Sequence, residues 1–395
     1  MPSPSRSFTR SRILPLVTLA VLAAAPTRAA DTLTAPAAEP TPVPATTPAP
    51  EATAPPEAQA PVKPAPIEVT SFVDTYYGYF FNKPTGNVLL RNFDTKHNTF
   101  SLGLVGVSAE QKVTTANRLG FRLDLRAGPT AELVNASEPG GLEFLKNIEQ
   151  AYGSYLFGRK LQVDVGKFVT SNGAEVIETK DNWNYSRSLL FALAIPYYHA
   201  GVRATVPFND KVSVTGMLVN GWNDVVDNNS GKTWGLNATL KPNAKLTVVQ
   251  NFMGGPEQKD DTKDKRFLSD TVLTLTPTDK LSLMANYDYG KDSVAGANVK
   301  WQGVALYARV QATPVWALTP RFEWYDDTNG FTTGTAQKVK EFTITSEQKL
   351  GGKLLTRVEY RRDFSDQPFF TKNGLPKKSQ DNITVGLIYA FSRSF

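Results

Sequence analysis

The chain offers few groups with which to make or break bonds. It has no cysteine and only two histidines, His97 and His199. A disulfide framework and a thiolate metal site are therefore excluded, and the histidines lie too far apart in sequence for a local metal motif. No Gly-x-Ser-x-Gly elbow, His-Glu-x-x-His pair or phosphate loop occurs. Neither histidine has a recognisable nucleophile motif beside it, as Ser–His hydrolysis would need. No catalytic, metal or cofactor site is assigned. What does recur is charge at a spacing of two: Arg122, Asp124 and Arg126; Arg321 and Glu323; Arg357, Glu359, Arg361 and Asp363. Asp164, Arg203 and Arg309 sit in segments of the same rhythm. Residues two apart on a strand share a face, so these twelve groups would line a wall instead of converging on a point. Fixed charges of both signs along a wall act on ions and polar solutes that pass it.

The elements that would carry such a wall are legible from Val69 to the C-terminus as period-two alternation. In Arg118–Arg126, Leu119, Phe121, Leu123 and Leu125 take one face and Arg118, Arg122, Asp124 and Arg126 the other. Ile383, Val385, Leu387, Tyr389 and Phe391 repeat the apolar face in the last segment. Sixteen strands are expected, most near ten residues, the length a tilted strand needs to cross hydrocarbon. Short turns rich in Pro, Asn, Asp and Gly, such as 276–280 and 349–353, alternate with long connections near 82–97, 129–147, 169–197, 222–231, 254–265, 291–298, 327–337 and 365–380. Alternating short and long connections is how an outer-membrane barrel is strung, with the short turns periplasmic. The expected fold is all-β: a transmembrane antiparallel up-and-down barrel preceded by a disordered proline-rich segment.

The N-terminal region reads differently. Residues 1–29 carry Arg6, Arg10 and Arg12 ahead of the apolar run Ile13–Ala25, then Thr27-Arg28-Ala29, the pattern of a cleaved secretory signal peptide. Residues 30–67 are built mostly of Ala, Pro, Thr and Glu, and proline so frequent forbids a helix or central strand. They are expected to form a disordered periplasmic linker, semi-rigid and extended, able to reach toward peptidoglycan. The barrel is assigned to residues 68–395. Removing residues 1–29 takes away four arginines and no acids, so the net charge of +6 falls to +2; nothing in that balance calls for nucleic acid as a partner.

A soluble sheet also alternates, but its aromatics would sit in mid-strand. Here Tyr77, Tyr79, Tyr155, Phe157, Trp222, Trp234, Tyr287, Tyr289, Trp301, Trp316 and Trp324 fall near expected strand ends, where amphipathic rings favour a membrane interface. With the apolar face toward lipid, the twelve charged residues point inward. A barrel of sixteen strands is too wide for side chains to fill and leaves an aqueous channel. Single changes such as Arg361→Ala would then alter ion preference modestly and leave folding intact. The longest loop, 169–197, contains the apolar run Leu189–Ile195, with Ser186 or Ser188 positioned to cap a short helix that ends before Pro196. Such a run needs burial. Folding into the barrel mouth would supply it and bring Glu175, Glu178, Lys180, Asp181 and Arg187 to the narrowest point; a lid packed on neighbouring loops is the alternative.

One stretch is more specific. Gly166-Lys-Phe168 and the continuous run from Asp181 to Arg203, with Tyr76-Tyr-Gly-Tyr-Phe80 and Gly221-Trp-Asn223, resemble the signature of the OmpL-like β-barrel porin family. The resemblance covers roughly residues 68–395 and implies an outer-membrane porin-like barrel with its substrate left open. Arg393, two places before Phe395, departs from the apolar residue usual there.

The expected function is an outer-membrane porin, a water-filled channel for passive diffusion of small hydrophilic solutes and ions, in contact with outer-membrane lipid. Homo-oligomerisation is compatible with the sequence. With an even strand number both termini would be periplasmic. The alternatives are a barrel with a mainly structural role, tying the envelope through its proline-rich arm, and an outer-membrane lipid hydrolase.

Overall fold

The computed structural model describes residues 65–136 and 143–395. The expected signal peptide, and the linker up to residue 64, lie outside the described residues. Within them the chain forms eighteen strands: β1 Ile67–Phe80, β2 Thr99–Gln111, β3 Leu119–Ala127, β4 Ile148–Phe157, β5 Leu161–Val169, β6 Tyr198–Asn209, β7 Val212–Val219, β8 Thr233–Asn243, β9 Leu246–Gly255, β10 Arg266–Thr278, β11 Leu281–Val294, β12 Ala297–Thr313, β13 Trp316–Asp327, β14 Gln337–Leu350, β15 Leu354–Ser365, β16 Phe370–Lys372, β17 Leu375–Lys377 and β18 Ser379–Ser394. Sixteen of them close into one antiparallel barrel, each hydrogen-bonded to its neighbours in sequence order, while β16 and β17 form a separate hairpin. Closure runs through β1 and β18: Ile67 and Phe395 exchange backbone hydrogen bonds of 3.2 and 3.0 Å, and Glu68 faces Ser394. A closed sheet has no edge, so every ladder group finds a partner without water. No helix among the described residues is long and apolar enough to cross a membrane.

The sheet is apolar outside and charged inside. On β15, Val358 is 52% exposed on the outer face while its neighbour Glu359 is fully buried. Leu123, Phe322, Phe342, Leu387 and Phe391 are likewise exposed, and Asp124, Arg321, Arg361 and Asp363 buried. In water this arrangement would forfeit the hydrophobic driving force; with hydrocarbon as the outer solvent it is the favourable one, since an outward Arg or Lys near mid-membrane costs about 2–4 kcal/mol.

All sixteen expected strands occur, within a few residues of the expected bounds. Three differences concern the connections and their flanks. The connection expected at 291–298 is a two-residue turn, Ala295-Gly296, both with positive φ (50° and 80°), the geometry that joins twisted strands most tightly. The 365–380 connection contains the β16–β17 hairpin, whose positive-φ pair Asn373-Gly374 is too local a signal to separate from an ordinary loop. Trp222 and Trp301 do not join an outer aromatic band. Trp301 is inward, opposite Gly290, where a Cβ would lie 2.0 Å from its ring. It donates to the Ala194 carbonyl at 3.1 Å, stacks on Phe331 and meets Trp222 edge-on.

Candidate functional site

The segment 170–197 leaves β5 at Val169 and returns into β6 at Tyr198. A hydrogen bond from Thr170 N–H to the Tyr197 carbonyl, 2.9 Å, closes its base. Between these points it runs inside the barrel. Its first arm meets β9, β10 and β11: Asn251 donates to the Ser171 carbonyl (3.1 Å), Gly173 N–H to Asp270 (3.0 Å) and Ala174 N–H to Asn286 (3.2 Å). The middle reaches the opposite wall. Thr179 and Tyr185 donate to the two oxygens of Asp74 on β1 at 2.5 and 2.9 Å, and Gly386 on β18 has no side chain where the Tyr185 ring lies, a Cβ there being 2.2 Å away.

The return arm is held by β13–β15. Glu359 accepts the Tyr185 and Ser186 amides at 2.6 and 3.0 Å, and Glu323 accepts the Leu189 amide at 2.8 Å. The guanidinium groups take carbonyls: Arg357 those of Thr179 (2.7 Å) and Asn184 (3.0 Å), Arg321 that of Ser186 (2.8 Å), Arg361 that of Arg187 (2.6 Å). Backbone removed from water must find partners, and here side chains of the wall supply them. A short helix, α2 Leu189–Leu193, follows; Ser188 caps it by accepting the Phe191 amide at 3.0 Å. Leu189, Leu190, Phe191, Ala194 and Ile195 are buried in one cluster with Phe168, Met253, Leu268 and Trp301. The burial that the apolar run needs is thus met within the barrel and not by a lid over it.

All twelve charged residues singled out from the sequence lie on the inner face, but their surroundings divide them. Asp124, Arg126, Arg321, Glu323, Arg357, Glu359, Arg361 and Asp363 are buried, most of them bonded to the loop. Arg122, Arg203 and Arg309 keep side-chain exposures of 31%, 22% and 20%, and buried Asp164 holds Arg203 at 2.8 Å. The loop residues divide likewise. Glu175 and Arg187 are buried: Glu175 pairs with Arg321 at 2.8 Å, and Arg187 donates to the Val176, Tyr185 and Ile177 carbonyls at 2.9, 2.6 and 2.5 Å. Glu178, Lys180 and Asp181 border open space. Burial opposes ionisation of Glu178, but the Arg126 and Lys180 cations beside it hold its carboxyl below the ordinary value.

Two spaces flank the loop. One, about 170 Å³, lies against β3 and β4 between Arg122, Gln150, Val176, Glu178 and Tyr197. The other, about 410 Å³, lies toward the short turns among Lys180, Trp183, Arg309, Glu347 and Lys349. Asp181 borders both. This arrangement puts charges of both signs beside open space. His199 is buried, its nitrogens 2.9 Å from the Gly221 carbonyl and 3.2 Å from Thr170 Oγ1, and His97 accepts the Phe80 amide at 3.1 Å. The carboxylates of Asp124, Glu149 and Glu178 converge within 4.8 Å. Arg126 already occupies their midst, 3.1 Å from Glu149 and 3.7 Å from Asp124 and in contact with Glu178, so the set suits a guanidinium and not a metal ion.

Several wall residues were not singled out from the sequence. Glu341 and Glu347 pair with Arg321 and Arg357 at 3.1 and 2.6 Å, and inward parity along β14 was the signal that could have found them. Arg91 and Asp94 are another matter. They bring a second loop into the lumen, where Arg91 reaches Asn382 at 2.6 Å, and their segment has no periodicity to read.

The sequence profile of the family described as beta-barrel porin-2, OmpL-like, matches residues 66–391. No curated protein sequence matches the chain significantly. Solved structures do. The outer membrane channel DcaP of Acinetobacter baumannii aligns with a TM-score of 0.57 at 13% identity, over 82% of this chain and 97% of that one. An anion-selective porin from Comamonas acidovorans gives 0.55 at 13%, over 82% and 99%. The trimer form of OmpT, an outer membrane protein of Vibrio cholerae, gives 0.55 at 11%, over 83% and 100%. At such identities the likeness is one of fold. The profile match runs from β1 into β18, the last strand, and with it the chain belongs to the OmpL-like beta-barrel porin family of the outer membrane.

Proposed function

We propose that the chain is a porin whose lumen passes small hydrophilic solutes and ions by passive diffusion, along the side of the 170–197 loop. The observation that carries this reading is the inverted distribution of polarity: an apolar outer face, and an inner face that carries the buried charges of the barrel beside the apolar cluster holding the loop. A sheet of sixteen strands encloses more room than its own side chains fill, and the inserted loop then sets the width. Permeating ions would meet Arg122, Glu178, Lys180 and Asp181, then Arg309 and Glu347. Both signs are present, which supports weak ion selectivity. The buried charges of the inner wall serve the path indirectly, by holding the loop.

Strand count and connection lengths support an orientation with both termini in the periplasm and the long loops outside, after cleavage of residues 1–29. Since one structural neighbour is a trimer, assembly of this barrel into homo-oligomers belongs to the same proposal. Conductance of the purified protein in planar bilayers, with reversal potentials in a salt gradient, tests the function. Stepwise, ohmic channels with a small reversal potential are expected; a folded protein without conductance would overturn the reading. For the orientation, a Lys372→Cys variant should react in intact cells with a membrane-impermeant thiol reagent, whereas Lys280→Cys should not.

A further inference from the structure

At the end of the barrel away from the termini, five cations point outward from neighbouring strands: Lys291 on β11, Lys300 on β12, Lys338 and Lys340 on β14 and Arg362 on β15. Their facing follows from register. Lys291 pairs with Lys300, Lys340 stands between outward Trp324 and Phe364, and Arg362 opposes outward Phe342. All four lysines are exposed. Lys338 has a weak partner in Asp326, at 3.7 Å. Lys291, Lys300, Lys340 and Arg362 make no ion pair among the described residues. Lys291 and Arg362 lie over the Phe267 and Phe364 rings, 4.9 and 4.8 Å from the centroids, and Arg362 Nε has no hydrogen-bond acceptor. Elsewhere on the same rim, the outward positions Leu102, Leu125, Leu218 and Trp234 carry no charge.

Beneath the cations runs a groove of about 590 Å³, its apolar floor formed by Phe322, Trp324, Phe342 and Phe364, with Lys338 and Lys340 above. Three outward acids share this rim, Asp326 beside Lys338, Asp366 at the groove edge and Asp381 opposite Arg362. Five cations against three acids leave a net positive charge over an exposed aromatic floor, complementary to an amphiphile with an anionic head. From β11 to β15 there are four strand spacings, roughly 19 Å in all, broader than the single phosphate of a glycerophospholipid.

We propose that this face binds a phosphorylated glycolipid of the outer leaflet, of the lipid A class, with one phosphate on Lys338, Lys340 and Arg362, the other on Lys291 and Lys300, and its acyl chains along Phe322, Phe342 and Phe364. The choice of leaflet rests on the orientation proposed above. The cations donate charge-assisted hydrogen bonds to phosphate oxygens, while the rings replace lipid contacts that any barrel must make.

The test measures binding of the full chain, folded in phosphatidylethanolamine nanodiscs, to lipid A added as the probe, with phosphatidylglycerol and dephosphorylated lipid A as comparisons. Heat-modifiable mobility verifies folding of each variant. Binding of lipid A is expected to exceed that of both comparison lipids and to weaken as salt rises. The triple variant Lys338→Gln/Lys340→Gln/Arg362→Gln should bind about a hundredfold more weakly, from three charge contacts of about a factor of five each. The variant Lys241→Gln/Lys245→Gln/Lys280→Gln, on the opposite rim, should bind as the parent does. Equal binding of phosphatidylglycerol, or equal loss in both triple variants, would overturn the proposal. This measurement needs neither conductance nor a cell, so it can fail while the channel stands. Conversely, labelling of Lys280→Cys from outside the cell would overturn the orientation and leave the binding result intact.

Discussion

Arg361 shows how the same residue changes meaning once its surroundings are known. Its place on the inner face suggests a charge beside water, yet it is fully buried, 2.9 Å from Asp363 and 3.7 Å from Glu341, and donates to the Arg187 carbonyl. Removing it would leave the Arg187 carbonyl without its donor and take from Asp363 and Glu341 one of the two cations each faces, Arg91 and Arg321 remaining, a loss toward the about 3–5 kcal/mol of a broken buried pair. The expectation that Arg361→Ala leaves folding intact therefore gives way. The variant should unfold at distinctly lower denaturant concentration, and Arg361→Lys should recover only part, because one ammonium cannot serve both directions of the fork. Unchanged stability of Arg361→Ala would contradict this placement.

Glu257, in the connection after β9, offers a test of a different kind. It accepts the Trp222 amide at 2.8 Å and the Thr233 hydroxyl at 2.5 Å, joining two of the long loops. Burial pushes its carboxyl up to about 7. The folded state thus keeps a proton that the unfolded chain has lost, between the ordinary value of 4.5 and about 7. In that window the folded state binds more protons, so stability falls as pH rises. The protection factor of the Trp222 amide should decline across this range and level off above it. In Glu257→Gln the decline should be absent; its persistence would locate the titrating group elsewhere.

Among the elements, the 170–197 loop carries the strongest expectation. It is fastened by the Thr179 and Tyr185 hydroxyls to Asp74, by backbone amides to Asp270, Glu323 and Glu359, and by three arginines, which makes it a fixed obstruction and not a swinging gate. Deleting residues between Asn172 and Pro196 should raise single-channel conductance several-fold, by opening the section that the loop fills. Because that deletion also exposes the buried wall charges to water, where they are readily solvated, the barrel should still fold and run heat-modified on gels. Conductance equal to the parent's would mean that ions bypass the loop altogether. A milder change, Ser188→Ala, removes the cap of α2 and should cost about 1 kcal/mol, seen as faster exchange of the Phe191 amide with the conductance little altered.

At the scale of the whole molecule, the outward face can be tested by placing charge where lipid is expected. Val358 is exposed on β15 between buried Arg357 and Glu359. Val358→Arg should destabilise the barrel refolded in lipid vesicles by about 2–4 kcal/mol, while Lys353→Arg at the nearby turn should be neutral. A neutral Val358→Arg would mean that the face meets water.

The strands and the two faces were determined by the sequence itself. Alternation has period two, and the pleat has the same period, so a run such as Leu119 to Arg126 can satisfy hydrocarbon on one side and polar groups on the other in only one register. Sixteen such runs in up-and-down order leave little freedom in the sheet. The interior was another matter, since parity says that Arg321 or Glu359 points inward but not what stands in front of it. That was settled by the loop, whose bonds span up to 178 positions in sequence, as from Thr179 to Arg357, a separation at which no local rule operates. The same holds for Trp301, whose place near a strand end suggested the membrane interface until its register with Gly290 turned it inward. Tertiary structure alone decided which wall charges meet water and which hold the loop, because that depends on how a buried backbone finds its hydrogen-bond partners, and those partners come from the far side of the barrel.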